Sequence, residues 1–175
     1  MTAMKPSVTQ LLDLLAKPAL IAWANKQGLA GIDINEAREK SRRAGTSIHS
    51  QIESGAFDSE KDASAFAKFM ADKELIDQEQ TIETEWFVGR YDARLKWRGL
   101  TYLVDYKKSR RPAVYFEHRL QLAAYAMGVQ ADKFAIVAVP AFIPLEVAMG
   151  DRLEKYQEIV VSLARIWQIS RELDA

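Results

Sequence analysis

The segment from Gly89 to Lys108 constrains the fold more than any other part of the chain. It reads Gly-Arg-Tyr-Asp-Ala-Arg-Leu-Lys-Trp-Arg-Gly-Leu-Thr-Tyr-Leu-Val-Asp-Tyr-Lys-Lys, with β-branched, aromatic and long side chains on both sides of Arg98-Gly99. Gly99 supplies the positive φ of a tight turn, so the segment reads as a β-hairpin. With a two-residue loop at Arg98-Gly99, Trp97 pairs with Leu100, and counting outward sets Asp92 opposite Asp105. Directly opposed side chains share a face with Cβ atoms roughly 5 Å apart, and like charges there repel, so the two carboxylates need a cation between them. Lys107, two residues beyond Asp105, falls on the same face. A type I turn with a bulged Gly99 would instead shift the register by one. By itself, an Asp-x-Lys tripeptide on a strand describes many solvated sheet faces.

At 175 residues the chain is long enough for one domain, 1–175, with its own core. Hydrophobic residues at 49% and charged residues at 27% are those of an ordinary globular protein. No run of about 18 apolar residues and no basic-apolar leader is present, so the reading is a protein without membrane association. The absence of cysteine excludes disulfides, thiolate zinc sites and cysteine-ligated clusters. Acidic and basic residues balance at 24 each, yet Lys107, Lys108, Arg110, Arg111 and Arg119 cluster just past the hairpin, and Lys40, Arg42 and Arg43 lie upstream. A local basic patch can bind phosphates at zero net charge.

Ser7 or Thr9 is a plausible N-cap for a helix running through Trp23 to about Gln27 and ending at Gly28. A second helix starts near Asn35, and in its later part His49 and Glu53, four apart, share a face beside Ile48 and Ile52. Such a pair is commonly an exposed hydrogen bond; it also suits a divalent cation. Gly45, Thr46 and Ser47 would let a backbone or ligand approach closely. A third helix spans Ser59 to Glu74 with Phe66, Phe69 and Met70 as its apolar stripe. Gln80 to Phe87 is strand-like, with Glu83 and Glu85 as candidate acids. Whether Gly89 marks a bend or a turn is open. After Pro112 comes a helix over Phe116 to Gly128, capped at Gly128, with Gln121 and Tyr125 on one face. A buried strand over Asp132 to Pro140, a short strand near Ile143 to Ala148, and a helix over Arg152 to Leu173 complete the chain. The expected fold is α/β, an αβββαβ restriction-endonuclease-like core: a mixed central sheet flanked by helices, with N-terminal helices and an extra C-terminal helix.

The series Gly45-Thr46-x-x-His49-x-x-x-Glu53, Gly89-x-x-Asp92, Asp105-x-Lys107 and Gln121-x-x-x-Tyr125 resembles, in content and order, the RecB-like branch of the PD-(D/E)XK nuclease superfamily. Pro6-Ser7-Val8-Thr9 with Trp23 is similar to the group that includes the mitochondrial genome-maintenance exonuclease and its phage and bacterial relatives. The resemblance implies a metal-dependent deoxyribonuclease using Mg²⁺ or Mn²⁺, an exonuclease on single-stranded DNA ends. It implies metal ligation by His49, Asp92, Asp105 and the Tyr106 carbonyl. Lys107 would act on the attacking water and the phosphate, Glu53 would support His49 or a second ion, and Gln121 and Tyr125 would position the site. Ser7, Thr9, Thr46, Lys108, Arg110, Arg111 and Arg119 would contact nucleic acid. Alternatives are a structure-specific endonuclease of the junction-resolvase type, or a non-catalytic nucleic-acid-binding module. The chain has no helicase domain, so processivity would come from an oligomer or from a helicase, polymerase or recombination partner, in the cytoplasm of a bacterial or phage-infected cell.

Overall fold

The structure, a computed structural model, describes residues 4–109 and 112–174. Arg110 and Arg111 therefore lie outside the described residues.

The N-terminal helix is split. Ser7 caps α1 (Val8–Leu12): its Oγ accepts from the Gln10 amide at 3.2 Å, and the Gln10 side chain accepts from the Ser7 amide at 2.8 Å. A second helix, α2 (Pro18–Leu29), begins at a proline. Proline disfavours helical backbone in the residue before it and has no amide to extend the earlier helix, and Lys17 accordingly takes φ −117°, ψ 76°. The expected single helix therefore cannot exist. Gly28 lies inside α2; the left-handed residue after the helix is Gly31, φ 71°.

Asp33 caps α3 (Ile34–Ser54) by accepting from the amides of Asn35 and Glu36, and Gly55 closes it at φ 70°. Ser59 caps α4 (Glu60–Met70). This helix stops at its last apolar stripe residue, short of the expected Glu74, because β1 (Lys73–Glu83) pairs along the whole of β2 (Val88–Trp97). The strand thus starts seven residues before the Gln80 read from the sequence. Thr84–Phe87 forms the turn, where Thr84 Oγ1 accepts from the amides of Trp86 and Phe87.

The hairpin to β3 (Leu100–Lys108) turns at Arg98 and Gly99, φ 53° and 79°, the pair of positive φ angles that matches strand twist. Trp97 pairs with Leu100, as the two-residue loop predicts, and the ladder continues to Ala93↔Val104. After α5 (Phe116–Tyr125), β4 (Lys133–Val139) joins β3 in parallel, and β5 (Ile143–Glu146) joins β4 antiparallel. The last helix is α6 (Leu153–Leu173). The sheet is mixed, in order β1-β2-β3-β4-β5, and flanked by helices, the αβββαβ arrangement expected, with β5 added. Gly128 lies past the end of α5 and is no helix cap. A Cβ there would sit 2.9 Å from Ile82 Cβ, so glycine is needed for close approach to β1.

Each face of the sheet carries a core. Leu103, Ile136, Leu120, Ala124 and Leu163 pack on the side of α1, α5 and α6. Ala93, Leu95, Val104, Val137, Ile52 and Phe69 pack on the side of α3 and α4. Among the described residues no helix is long and apolar enough to cross a membrane.

Candidate metal centre

Strand alternation fails where β1 and β2 pass Glu79 and Asp92. Ala93 and Leu95 face α3 and α4, yet Tyr91, an even step away, packs with Tyr125 on the other side. In the β1–β2 ladder, Gln78 pairs with Ala93 and Gln80 with Tyr91, while Glu79 and Asp92 between them are not a ladder pair. Glu79 has φ 50°, a left-handed value in mid-strand that costs a non-glycine residue about 1–2 kcal/mol. On the other side of Asp92 the β2–β3 ladder stops at Ala93↔Val104. Beyond it the Asp92 carboxylate replaces a backbone partner, accepting from the Tyr106 amide at 2.6 Å. The opening lets side chains from both helical layers meet.

From the α3 side comes His49. Its Nε2 lies 3.1 Å from the Tyr106 carbonyl oxygen; a carbonyl can only accept, so Nε2 carries the hydrogen and donates. Nδ1 is then turned toward Glu79 Oε1 at 3.6 Å and Asp92 Oδ1 at 3.7 Å. These gaps are too long for hydrogen bonds. They approach the separation of donor atoms that each sit about 2.1–2.3 Å from one shared cation. His49, Glu79 and Asp92, with ligand atoms all within 4.8 Å of one another, could hold a metal ion. The bond from Nε2 to a carbonyl is the usual outer support for a ligating imidazole. Arg90 holds the far oxygen of Glu79, Nε to Oε2 at 2.9 Å.

From the α5 side come Asp105 and Lys107. Asp105 is 1% exposed. Among the described residues its Oδ2 has no hydrogen bond, though it lies 2.9 Å from Lys107 Nζ in an ion contact. A buried carboxylate oxygen left without a hydrogen-bond donor is costly unless a cation serves it. Lys107 Nζ also donates to Asp105 Oδ1 at 3.1 Å and to Gln121 Oε1 at 2.9 Å, and Gln121 Nε2 donates to Tyr125 Oη at 2.9 Å.

Burial pushes the Asp92 carboxyl well above the usual range, and repulsion by Asp105 adds to it, while Lys107 and the Tyr106 amide work the other way. Burial opposes the charge on Lys107, but Asp105 and then Asp92 outweigh it and raise its pKa. The Tyr125 hydroxyl is raised by burial and by Asp105. Two cations, Lys107 on Asp105 and Arg90 on Glu79, thus face three carboxylates, an excess of negative charge that suits a metal cation.

The sequence-derived residues divide as follows. His49, Asp92, Asp105, Lys107, Gln121 and Tyr125 come together. The Tyr106 carbonyl is beside them, bonded to His49. Glu53 is exposed and lines a cavity of about 250 Å³ with Gly45, Thr46, His49, Ser50, Glu79 and Arg90. It is Glu79, not Glu53, that lies against the imidazole. Glu83 pairs with Lys5 at 2.7 Å, and Glu85 is exposed in the β1–β2 turn, so neither candidate acid reaches the centre. Ser7 acts as a helix cap, Thr9 and Lys108 are exposed, and Arg119 is half-buried. Thr46 Oγ1 donates to the Arg42 carbonyl at 3.2 Å. Glu79 escaped sequence analysis because strand periodicity gives no hint of a left-handed residue. A polar run, Asp77-Gln78-Glu79-Gln80, inside a strand pattern was the available signal.

No protein-family model and no curated protein matches the chain. Among solved structures, one titled "Crystal structure of SSO0001" is 16% identical, with 95% of this chain and 78% of that chain covered and a TM-score of 0.48.

Proposed function

We propose that the protein is a divalent-metal-dependent nuclease that hydrolyses DNA phosphodiester bonds, acting as an exonuclease on single-stranded ends with Mg²⁺ or Mn²⁺. The observation that carries this reading is the meeting of His49, Glu79 and Asp92 with buried Asp105 and half-buried Lys107 at one break in the sheet. The motif resemblance to RecB-like nucleases supports the same chemistry. An imidazole among carboxylates favours Mn²⁺ as an alternative to Mg²⁺. A cation held by His49, Glu79, Asp92 and Asp105 would lower the pKa of a bound water and neutralise charge on the phosphate.

Lys107 enters as an ammonium, because its carboxylate partners hold its pKa up. It therefore donates hydrogen bonds and does not accept a proton. It orients the attacking water through its lone pairs and offsets charge that develops on the phosphoryl oxygens. Gln121 fixes the ammonium by accepting from it, and the Tyr125 hydroxyl holds the Gln121 amide in that orientation.

The test is cleavage of end-labelled linear and circular single-stranded oligonucleotides with Mg²⁺, Mn²⁺ or chelator. Metal-dependent loss of the linear strand with the circle intact is expected. Cutting of the circle would make the enzyme an endonuclease. Absence of hydrolysis with either cation and every strand form would refute the nuclease reading.

A further inference from the structure

One stripe of α5 runs from the core through the candidate site and out into solvent. Tyr125 is buried, Gln121 and His118 are half-buried, and Tyr115, the N-cap residue just before the helix, is 53% exposed. Spacings of three and four residues set His118, Gln121 and Tyr125 on one side of the helix, Tyr115 meets that side through His118, and Gln121 bonds Lys107. His118 is close enough to the centre for the charges of both Lys107 and Asp105 to act on it. Its Nδ1 lies within reach of the Ala113 carbonyl at 3.2 Å and the Tyr115 amide at 3.4 Å, and holds the imidazole by donating to the first or accepting from the second, according to its tautomer. The Tyr115 ring meets the His118 ring edge to face, centroids 5.2 Å apart at 72°. Phe116, the other exposed aromatic here, turns toward α6 and packs near Tyr156 at 6.1 Å.

Tyr115 is thus an aromatic ring that rests against His118 and keeps 53% of its surface exposed, about 9 Å along the helix axis from the residue that holds Lys107. A core function does not explain half-exposure, and a hydrogen-bonding one does not explain the contact between the rings. We propose that Tyr115 is a stacking platform for a nucleobase one or two nucleotides from the scissile phosphate. The inference rests on the nuclease reading and adds its selectivity: a base can lie on the ring only when it has left a duplex stack. The occupant follows from position. Exposed Lys108 and the ammonium of Lys107 attract a polyanion to this end of β3, while the charge of Glu117, which acts on Lys107 and His118, disfavours a phosphate at the start of α5 and leaves the ring to an uncharged base. The polar backbone of a strand can follow the lysines while its base covers the tyrosine.

The experiment is a cycle between protein and substrate. Single-stranded oligonucleotides carrying one abasic nucleotide at successive positions are bound, with chelator present, to the wild-type protein and to Tyr115→Ala, Tyr115→Phe and Tyr115→Trp. For the wild type, one abasic position should weaken binding roughly 5- to 100-fold, the range for loss of one base–aromatic stack. Tyr115→Ala should weaken the intact oligonucleotide by a similar factor and no longer distinguish that position, while the Phe and Trp variants keep the distinction. Equal abasic losses at every position, in wild-type protein alone, would overturn the platform even if the alanine variant failed to fold. A wild type that cleaves single strands while Tyr115→Ala binds them unchanged overturns the platform and leaves the nuclease reading standing. A wild type that neither binds nor cleaves any strand removes both.

Discussion

Asp92→Asn should stabilise the metal-free protein. Asp92 and Asp105 are buried and oppose each other just past the last hairpin pair. Two charges about 5 Å apart in an effective dielectric near 20 repel by about 3 kcal/mol. Lys107 and the Tyr106 amide offset part of this, which leaves a net penalty of about 1–2 kcal/mol. Asparagine has nearly the same shape, and its Oδ1 can still accept from the Tyr106 amide, so the cap between the strands survives. The expected gain in Tm is about 2–8 °C, at about 2–4 °C per kcal/mol for a chain of this length.

The pH dependence has a definite sign. The folded-state pKa of Asp92 lies above its unfolded value, so between the two the folded state holds a proton that the unfolded chain has lost. Metal-free wild type therefore gains stability as pH falls below the folded value toward the unfolded one, and loses it as pH rises back through the folded value. The asparagine variant should lack this component. Mn²⁺ at about 100 times its Kd should add about 2.7 kcal/mol to the wild type and far less to the variant. Differential scanning calorimetry from pH 5 to pH 8, with chelator or Mn²⁺, measures all three effects. If Asp92→Asn is no more stable than wild type in chelator at pH 8, or if Mn²⁺ raises both equally, the charge-crowding argument is wrong.

Glu79→Gly should relieve the left-handed backbone and raise metal-free stability by about 1 kcal/mol, while calorimetric titration shows Mn²⁺ affinity at least 10-fold lower; unchanged affinity would remove Glu79 from the metal site. Lys107→Ala should lower single-turnover cleavage at least 10²-fold. Lys108→Ala should instead weaken DNA binding and reduce its salt slope by about one counterion; equal rate losses for the two variants would contradict the separation of their roles.

The hairpin was legible because its determinants are local. Gly99 beside Arg98 selects the turn, the turn sets the register, and the register brings Asp92 and Asp105 together. The Gln121–Tyr125 contact was legible from helical spacing alone, whereas the His49–Glu53 pair read from the same spacing leaves Glu53 exposed and Glu79 against the imidazole. What was missed depends on contacts distant in sequence. The bulge between Leu75 and Asp77 and the reversal at Glu79 change which β1 side chains face the site. Alternation counted from Glu83 and Glu85 therefore picked the wrong acids. The division at Pro18 is different: a proline inside an apolar helical run is a local signal, and its rule simply outweighs the stripe of leucines around it.

These errors cluster for a physical reason. A regular ladder would send Asp92 and Asp105 to one face, where only a single helical layer could supply partners. His49 stands on α3 and Gln121 on α5, on opposite sides of the sheet. For both to reach the same carboxylates the sheet must lose pairing at that level, and it does so at Glu79, Asp92 and Tyr106 together. The freed Tyr106 groups are not left bare: Asp92 takes the amide and His49 takes the carbonyl. The two side chains that fill the break, His49 and Asp92, are thus members of the group that could hold a cation, so forming the site and repairing the sheet use the same residues. A substitution that removes His49 should therefore loosen the β2–β3 end as well as weaken metal binding, which amide hydrogen exchange at Tyr106 would detect.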